Sequence, residues 1–289
     1  MREISCSAVT EAVREMCMEV NVTLSPEVEG ALVSAAESEQ SETGRSVLGI
    51  LKENLEIAER DRIPICQDTG MAVIFVKIGQ EVHITGGGLT EAINEGVRQG
   101  YRDGYLRKSV VGDPLLRTNT GDNTPAIVYY EVVPGDGLEL RMTAKGFGSE
   151  NTSRLFMLKP ADGIEGVKAA VLETVRAAGP NACPPIYVGI GIGGTFEKSA
   201  QLAKLALLKD GGETAESLTA GLCHDAPYVE ELEKELLASI NQLGIGPAGL
   251  GGDTTALGVR VLTCATHIAG LPLAVNICCH VNRHTLRTL

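Results

Sequence analysis

Six short polar segments interrupt the apolar pattern of this 289-residue sequence, and they hold most of the side chains able to do chemistry. They are Cys66-Gln67-Asp68-Thr69-Gly70, the stretch Asn119 to Pro125, and Lys145-Gly146-Phe147-Gly148-Ser149-Glu150-Asn151. Further along come Cys183-Pro184-Pro185 leading into the glycines 189 to 194, then Gly249 to Thr255, then His267 to His284. Each adjoins an expected strand or helix, and loops carried on rigid elements commonly present functional groups. Six such loops in one chain point to one composite site.

The thiols are the sharpest candidates. The chain has eight cysteines, at 6, 17, 66, 183, 223, 264, 278 and 279. Scattered thiols in a reducing compartment serve as core residues, nucleophiles or metal ligands. No Cys-x-x-Cys pair occurs, which argues against structural zinc. Cys6 and Cys17 fall in a helical pattern and read as packing residues, whereas Cys66, Cys183 and Cys279 sit in polar or turn-forming contexts. Three thiolates on a four-iron cluster would leave one iron open as a Lewis acid for a substrate hydroxyl. From the residues alone, buried inert cysteines stand as an alternative, since free cysteine is among the most buried residue types.

Gly189, Gly191 and Gly194 satisfy the spacing G-x-G-x-x-G. A dinucleotide fold also needs a second strand ending in an acid about 20 residues on. Here that stretch reads as a helix, and Asp210 follows it. What survives is a helix start whose backbone N–H groups can receive an anion such as a substrate carboxylate.

These loops need elements to position them. Residues 1–60 read as helices: Val9, Ala12, Val13, Met16, Cys17 and Val20 recur at helical spacing, Ser25-Pro26 offers a cap, and Val47 to Ala58 carries a third apolar pattern. Strands are expected at Ala72 to Ile78, Ile186 to Ile192 and Leu257 to Thr266, and a hairpin with one wet face from Ala126 to Val133 into Leu138 to Ala144 through Pro-Gly-Asp-Gly. Helical patterns cover Leu89 to Tyr105, Gly163 to Ala178, Phe196 to Leu208 and Pro227 to Leu243. The expected fold is α/β of the mixed α+β kind, a single domain over 1–289 with mixed sheets carrying the polar loops.

Composition narrows the function classes. At 44% hydrophobic the chain can bury a sizeable core, and its net charge of −12 disfavours nucleic acid and anionic lipid as partners. No apolar run approaches a membrane span and the first residues lack a signal-peptide core, so the expected location is cytoplasmic.

Taken together, the segments from Cys66 to Arg283 resemble the alpha subunit of the iron–sulfur-dependent hydro-lyases, the class I fumarate hydratases and L-tartrate dehydratases. The resemblance rests on Cys-Gln-Asp-Thr-Gly, Lys-Gly-x-Gly-Ser-Glu-Asn, Cys-Pro-Pro with its glycine run, and His-Ile-Ala-Gly-Leu-Pro ending in Cys-His-x-x-Arg. It implies a [4Fe-4S] cluster held by Cys66, Cys183 and Cys279, the last chosen over Cys278 because it occupies the cysteine position of that ending. It also implies that Gln67, Asp68, Arg107 and His267 contact a C4 dicarboxylate, with backbone contacts at Gly146 and Gly148. Phe147 departs from the glycine frequent in the family. Asp68 becomes the acid for the leaving oxygen; a loop aspartate making a turn is its plain alternative. From the residues alone, Arg107 reads first as a solvated basic residue, and a satisfied, partly buried histidine stands beside the ligand reading of His267.

The resemblance further implies a beta subunit carrying a threonine base, arginines and a lysine, in an assembly of two alpha and two beta chains. The expected reaction is reversible dehydration of L-malate to fumarate, with L-tartrate dehydration as the alternative. A polarising iron eases departure of hydroxide, and a placed base takes the weakly acidic C–H proton. A non-enzymatic anion-binding or regulatory module is the reading from another class, and a nicotinamide enzyme a third.

Overall fold

The computed structural model describes all 289 residues. It opens with strand β1 (Arg2–Ser5) and helix α1 (Cys6–Val22), whose N-cap Ser5 accepts the Ala8 N–H at 3.2 Å. Helices α2 (Pro26–Ser38) and α3 (Glu42–Asp61) follow, then strands β2 (Met71–Gly79) and β3 (Val82–Thr85), helix α4 (Leu89–Asp103), and strands β4 (Ile127–Val133) and β5 (Leu138–Lys145). The second half runs α5 (Phe147–Glu150), β6 (Arg154–Leu158), α6 (Gly163–Ala178), β7 (Ile186–Gly194), α7 (Phe196–Ala206), α8 (Ala215–Leu218) and α9 (Val229–Asn241). Strands β8 (Ala256–Thr266), β9 (Leu271–Cys278) and β10 (His284–Thr288) complete it. The mixture of helices with mixed sheets is the expected α/β class. No helix is long and apolar enough to cross a membrane.

The chain divides into two compact units, one formed by Met1–Ser25, Leu55–Gly146 and Arg283–Leu289, the other by Pro26–Asn54 and Phe147–Asn282. In the first unit β1 pairs with β3, and a four-stranded sheet has the order β10-β5-β2-β4. Helix α1 lies close on α4 because α4 presents glycines: a Cβ on Gly96 would stand 2.6 Å from the Thr10 carbonyl oxygen, and one on Gly100 2.6 Å from the Cys17 Cβ. Cys17 is fully buried there, as its helical position predicts, and burial pushes its thiol pKa well up.

The expected hairpin does not form. Strand β2 lies between β4 and β5, parallel to the former and antiparallel to the latter. Its run Ala72 to Val76 is buried on both faces and takes a central place, and the Pro-Gly-Asp-Gly turn folds over its end, where the Gly79 N–H donates to the Gly137 carbonyl at 2.9 Å. Nor does β5 have a wet face, since Arg141 and Thr143 are buried with their apolar neighbours.

In the second unit the sheet order is β6-β9-β7-β8, with β7 parallel to β8 and antiparallel to β9. The segment read as a polar island from His267 to His284 contains central strand β9, whose residues Pro272 to Cys278 are buried. Helix α7 packs onto β7 at the glycines: a Cβ on Gly191 would stand 2.1 Å from the Ser199 carbonyl oxygen, and one on Gly189 2.2 Å from that of Ala203. These glycines allow strand and helix to approach closely. They are not an open cradle for phosphates.

Candidate active site

The first unit gathers Gln67, Asp68, Arg107 and Gly146 around one loop. Residues Cys66 to Gly70 enter β2 through Gly70, whose φ of +76° and lack of side chain let it lie against Ala144; a Cβ there would meet the Ala144 carbonyl carbon at 2.7 Å. The Asp68 N–H donates to the Cys66 sulfur at 3.4 Å, and Asp68 Oδ1 accepts the Gly70 N–H at 3.0 Å. The aspartate therefore makes the turn bond that its plain reading foresees. Its Oδ2 faces Gly146, where a Cβ would stand only 3.2 Å away.

Behind this loop stand side chains buried far more deeply than polar groups usually are. Tyr101 on α4 is fully buried, its hydroxyl 2.8 Å from the Thr69 carbonyl oxygen and 2.9 Å from that of Gly70, with its pKa driven up by burial. Asn123 Nδ2 donates to the Gly70 carbonyl at 3.2 Å while its Oδ1 accepts the N–H groups of Ser109 and Val110. Thr69 donates its hydroxyl to the Arg107 carbonyl at 3.0 Å, which ties exposed Arg107 to the same loop.

Arg283 closes the arrangement. It is 3% exposed; Nε donates to the Ala144 carbonyl at 2.7 Å and Nη2 to the Asp68 carbonyl, while buried Nη1 has no partner. The ending Cys-His-x-x-Arg singles this arginine out, but not its part in bracing a loop over two hundred residues earlier in the chain. Tyr101 carries no such mark: in sequence it is one more apolar position of α4. Lys145, quoted in a motif without a role, is buried, with Nζ 3.2 Å from the Gly146 carbonyl oxygen.

In the second unit Cys183 adopts a left-handed conformation with φ 54° and ψ 62° just before β7, and is exposed. That conformation is uncommon for a residue with a side chain. His280 Nδ1 lies 3.4 Å from the Cys183 carbonyl oxygen, which brings the Cys183 loop to the segment just past β9, where half-buried Cys279 precedes His280. Neighbouring Cys278 is instead buried at the end of β9, its thiol toward the Val281 carbonyl. Gly148 belongs to α5, which Glu150 anchors by accepting Lys204 Nζ from α7 and Asn276 Nδ2 from β9. His267 occupies the exposed turn between β8 and β9, where its Nδ1 accepts the Ala269 N–H at 3.2 Å.

None of these cysteines is in a disulfide, and neither unit gathers three or more His, Cys, Asp or Glu side chains into a metal-binding group. The first unit holds Cys66; the second holds Cys183 and Cys279.

The family model described as fumarate hydratase (Fumerase) matches residues 10–288. The chain belongs to that family. It is 42% identical over 287 residues to a Methanocaldococcus jannaschii protein named "Putative L(+)-tartrate dehydratase subunit alpha", covering 97% of each chain. Two Escherichia coli proteins named L(+)-tartrate dehydratase subunit alpha are 31% and 29% identical, covering 99% and 98% of this chain and 92% and 91% of theirs. Within the Fumerase family the chain is a hydro-lyase polypeptide of the alpha-subunit type.

Proposed function

We propose that this polypeptide is the alpha half of a [4Fe-4S] hydro-lyase acting on a C4 2-hydroxy dicarboxylate, with malate and fumarate as the leading substrate pair. The observation that carries the reading is the bracing of Asp68: a half-buried loop carboxylate whose carbonyl, turn and neighbours are all held by buried groups. Solubility does not require that much order around one acid.

The donor set suits an iron–sulfur cluster in its chemistry. Cys66, Cys183 and Cys279 are thiols in no disulfide and outside the cores, unlike buried Cys17, Cys223 and Cys278, and the Asp68 N–H already points at the Cys66 sulfur as it would toward a thiolate. Bound by those three residues, the cluster would supply Lewis acidity toward the departing hydroxyl. Asp68, whose Oδ1 accepts the Gly70 N–H, delivers the proton to the leaving oxygen. Gln67 and Arg107 bind and orient a carboxylate, and His267 and the main chain at Gly146 and Gly148 complete the alpha chain's contacts. Because the chain carries −12, attraction of a dianion must come from these local groups. The base that removes the C–H proton is assigned to a beta subunit, consistent with relatives named as alpha subunits.

L-tartrate is the second reading, favoured by the names of those relatives. Anaerobic co-expression with a candidate beta chain, followed by iron and sulfide analysis and assays with malate and L-tartrate side by side, tests both. We expect brown protein with about four iron and four sulfide per alpha chain, absorbing near ~400 nm. Turnover on malate exceeding that on tartrate supports the leading pair, and the reverse ratio installs tartrate. Colourless protein that binds a dicarboxylate without turning it over would establish the anion-binding module instead.

A further inference from the structure

We propose that Cys223 and Cys264, two thiols outside the candidate active site, form a reversible intramolecular disulfide by exchange with a low-molecular-weight disulfide. The two residues face each other as an isolated antiparallel bridge pair. Directly opposed residues of such a pair have Cα atoms roughly 4.5 to 5.5 Å apart, within the roughly 4.4 to 6.8 Å that a disulfide spans. The side chains interact across the bridge, and both cysteines are reduced in the structure.

Their environments assign the roles. Cys264 is half-buried on β8 opposite Gly193 and can meet a reagent from solvent. Cys223 is 1% exposed, and burial pushes its thiol up to about 11, with the Lys198 ammonium acting in the opposite direction. Cys264 is thus the attacking thiol and Cys223 the resolving one. In the first step the Cys264 sulfur bonds to one sulfur of the oxidant; the oxidant's S–S bond breaks, and the departing thiolate takes up the proton lost by Cys264. In the second, the Cys223 sulfur displaces the other half from Cys264, and that half leaves as a second thiol. Two cysteines are oxidised and one small disulfide is reduced.

The bond would tether the stretch that includes α8 to the end of β8, three residues before His267. At present that stretch is held to the strand by contacts such as the Thr263 hydroxyl donating to the His224 carbonyl at 3.3 Å. The proposal is independent of the cluster and of the substrate.

The full chain is incubated with oxidised glutathione, remaining thiols are alkylated, and tryptic peptides are fragmented by mass spectrometry, because Cys264 shares its peptide with Cys278 and Cys279. The expected result is a linked pair joining Cys223 to Cys264, lost on reduction, with proteolysis between residues 207 and 228 slowed at least about tenfold. Cys264→Ser removes both effects, and Cys223→Ser serves as the second variant should the first fold poorly. Full alkylation of both cysteines, glutathione left on either, or a bridge to another cysteine overturns the proposal.

Discussion

The Cys66 loop of the first unit and the Cys183 loop of the second are held in opposite ways. The Cys66 loop is braced by side chains, the buried Tyr101, Asn123 and Arg283, which together satisfy the carbonyls of Asp68, Thr69 and Gly70. The Cys183 loop is held mainly by main chain: the Ala248 N–H donates to the Pro184 carbonyl at 2.8 Å, and the Ile186 N–H to the Thr255 carbonyl at 2.9 Å. A loop supported by polar side chains can be released by one substitution. A loop supported by backbone and tight packing fails only when the strand under it moves.

The largest expected effect tests the packed side. Gly191→Ala drives a Cβ into the Ser199 carbonyl of α7, where only backbone is available to yield. We expect a loss of about 3 kcal/mol or more, read from urea midpoints. A near-neutral result would mean that α7 slides freely on β7 and that the second unit does not hold its loop rigidly. Next in size, Arg283→Met keeps the volume but leaves the Ala144 and Asp68 carbonyls without their donor. Each such bond to a charged group contributes about 1.5–3 kcal/mol, and loss of the unpartnered Nη1 returns part of that, so a net cost of about 2 kcal/mol is expected. Amide exchange at Gly70 should quicken while that at Ile186 stays unchanged. Equal quickening at both would erase the contrast.

What the sequence disclosed follows the same divide. Periodicity located α1, α6 and β7, because their burial is one-sided or complete and leaves a regular pattern. The motifs drew attention to Asp68, Cys66 and Arg283, whose types are unusual in their settings. Periodicity failed where long-range pairing decides: β4 and β5 have the turn and spacing of a hairpin, yet β2 intervenes. It failed at β9 because the histidines and cysteines at its ends disguise the apolar run Leu271 to Cys278. Tyr101 was out of reach for a related reason, since nothing local distinguishes a core tyrosine from one whose hydroxyl supports a loop thirty residues upstream.

Acid supplies the smallest and most selective test. Asp122 lies in the Asn119 to Pro125 segment beside Asn123. Burial opposes its charge, but the Thr124 hydroxyl and N–H and Arg98 Nε, at 2.7, 3.0 and 2.9 Å, outweigh that and bring its pKa down to about 2. A carboxyl depressed by folding adds stability above its ordinary value near 3.8, and that contribution is lost as pH falls from there toward 2. With the side chain 28% exposed, solvent screening keeps the effect below about 1 kcal/mol. Asp122→Asn should therefore lower the urea midpoint at pH 7, and the gap from the unmodified chain should close between pH 4 and pH 2. A gap that stays constant across that range would show that Asp122 acts through its shape and not its charge, and would remove acid sensitivity from the account of how the first unit's loops are held.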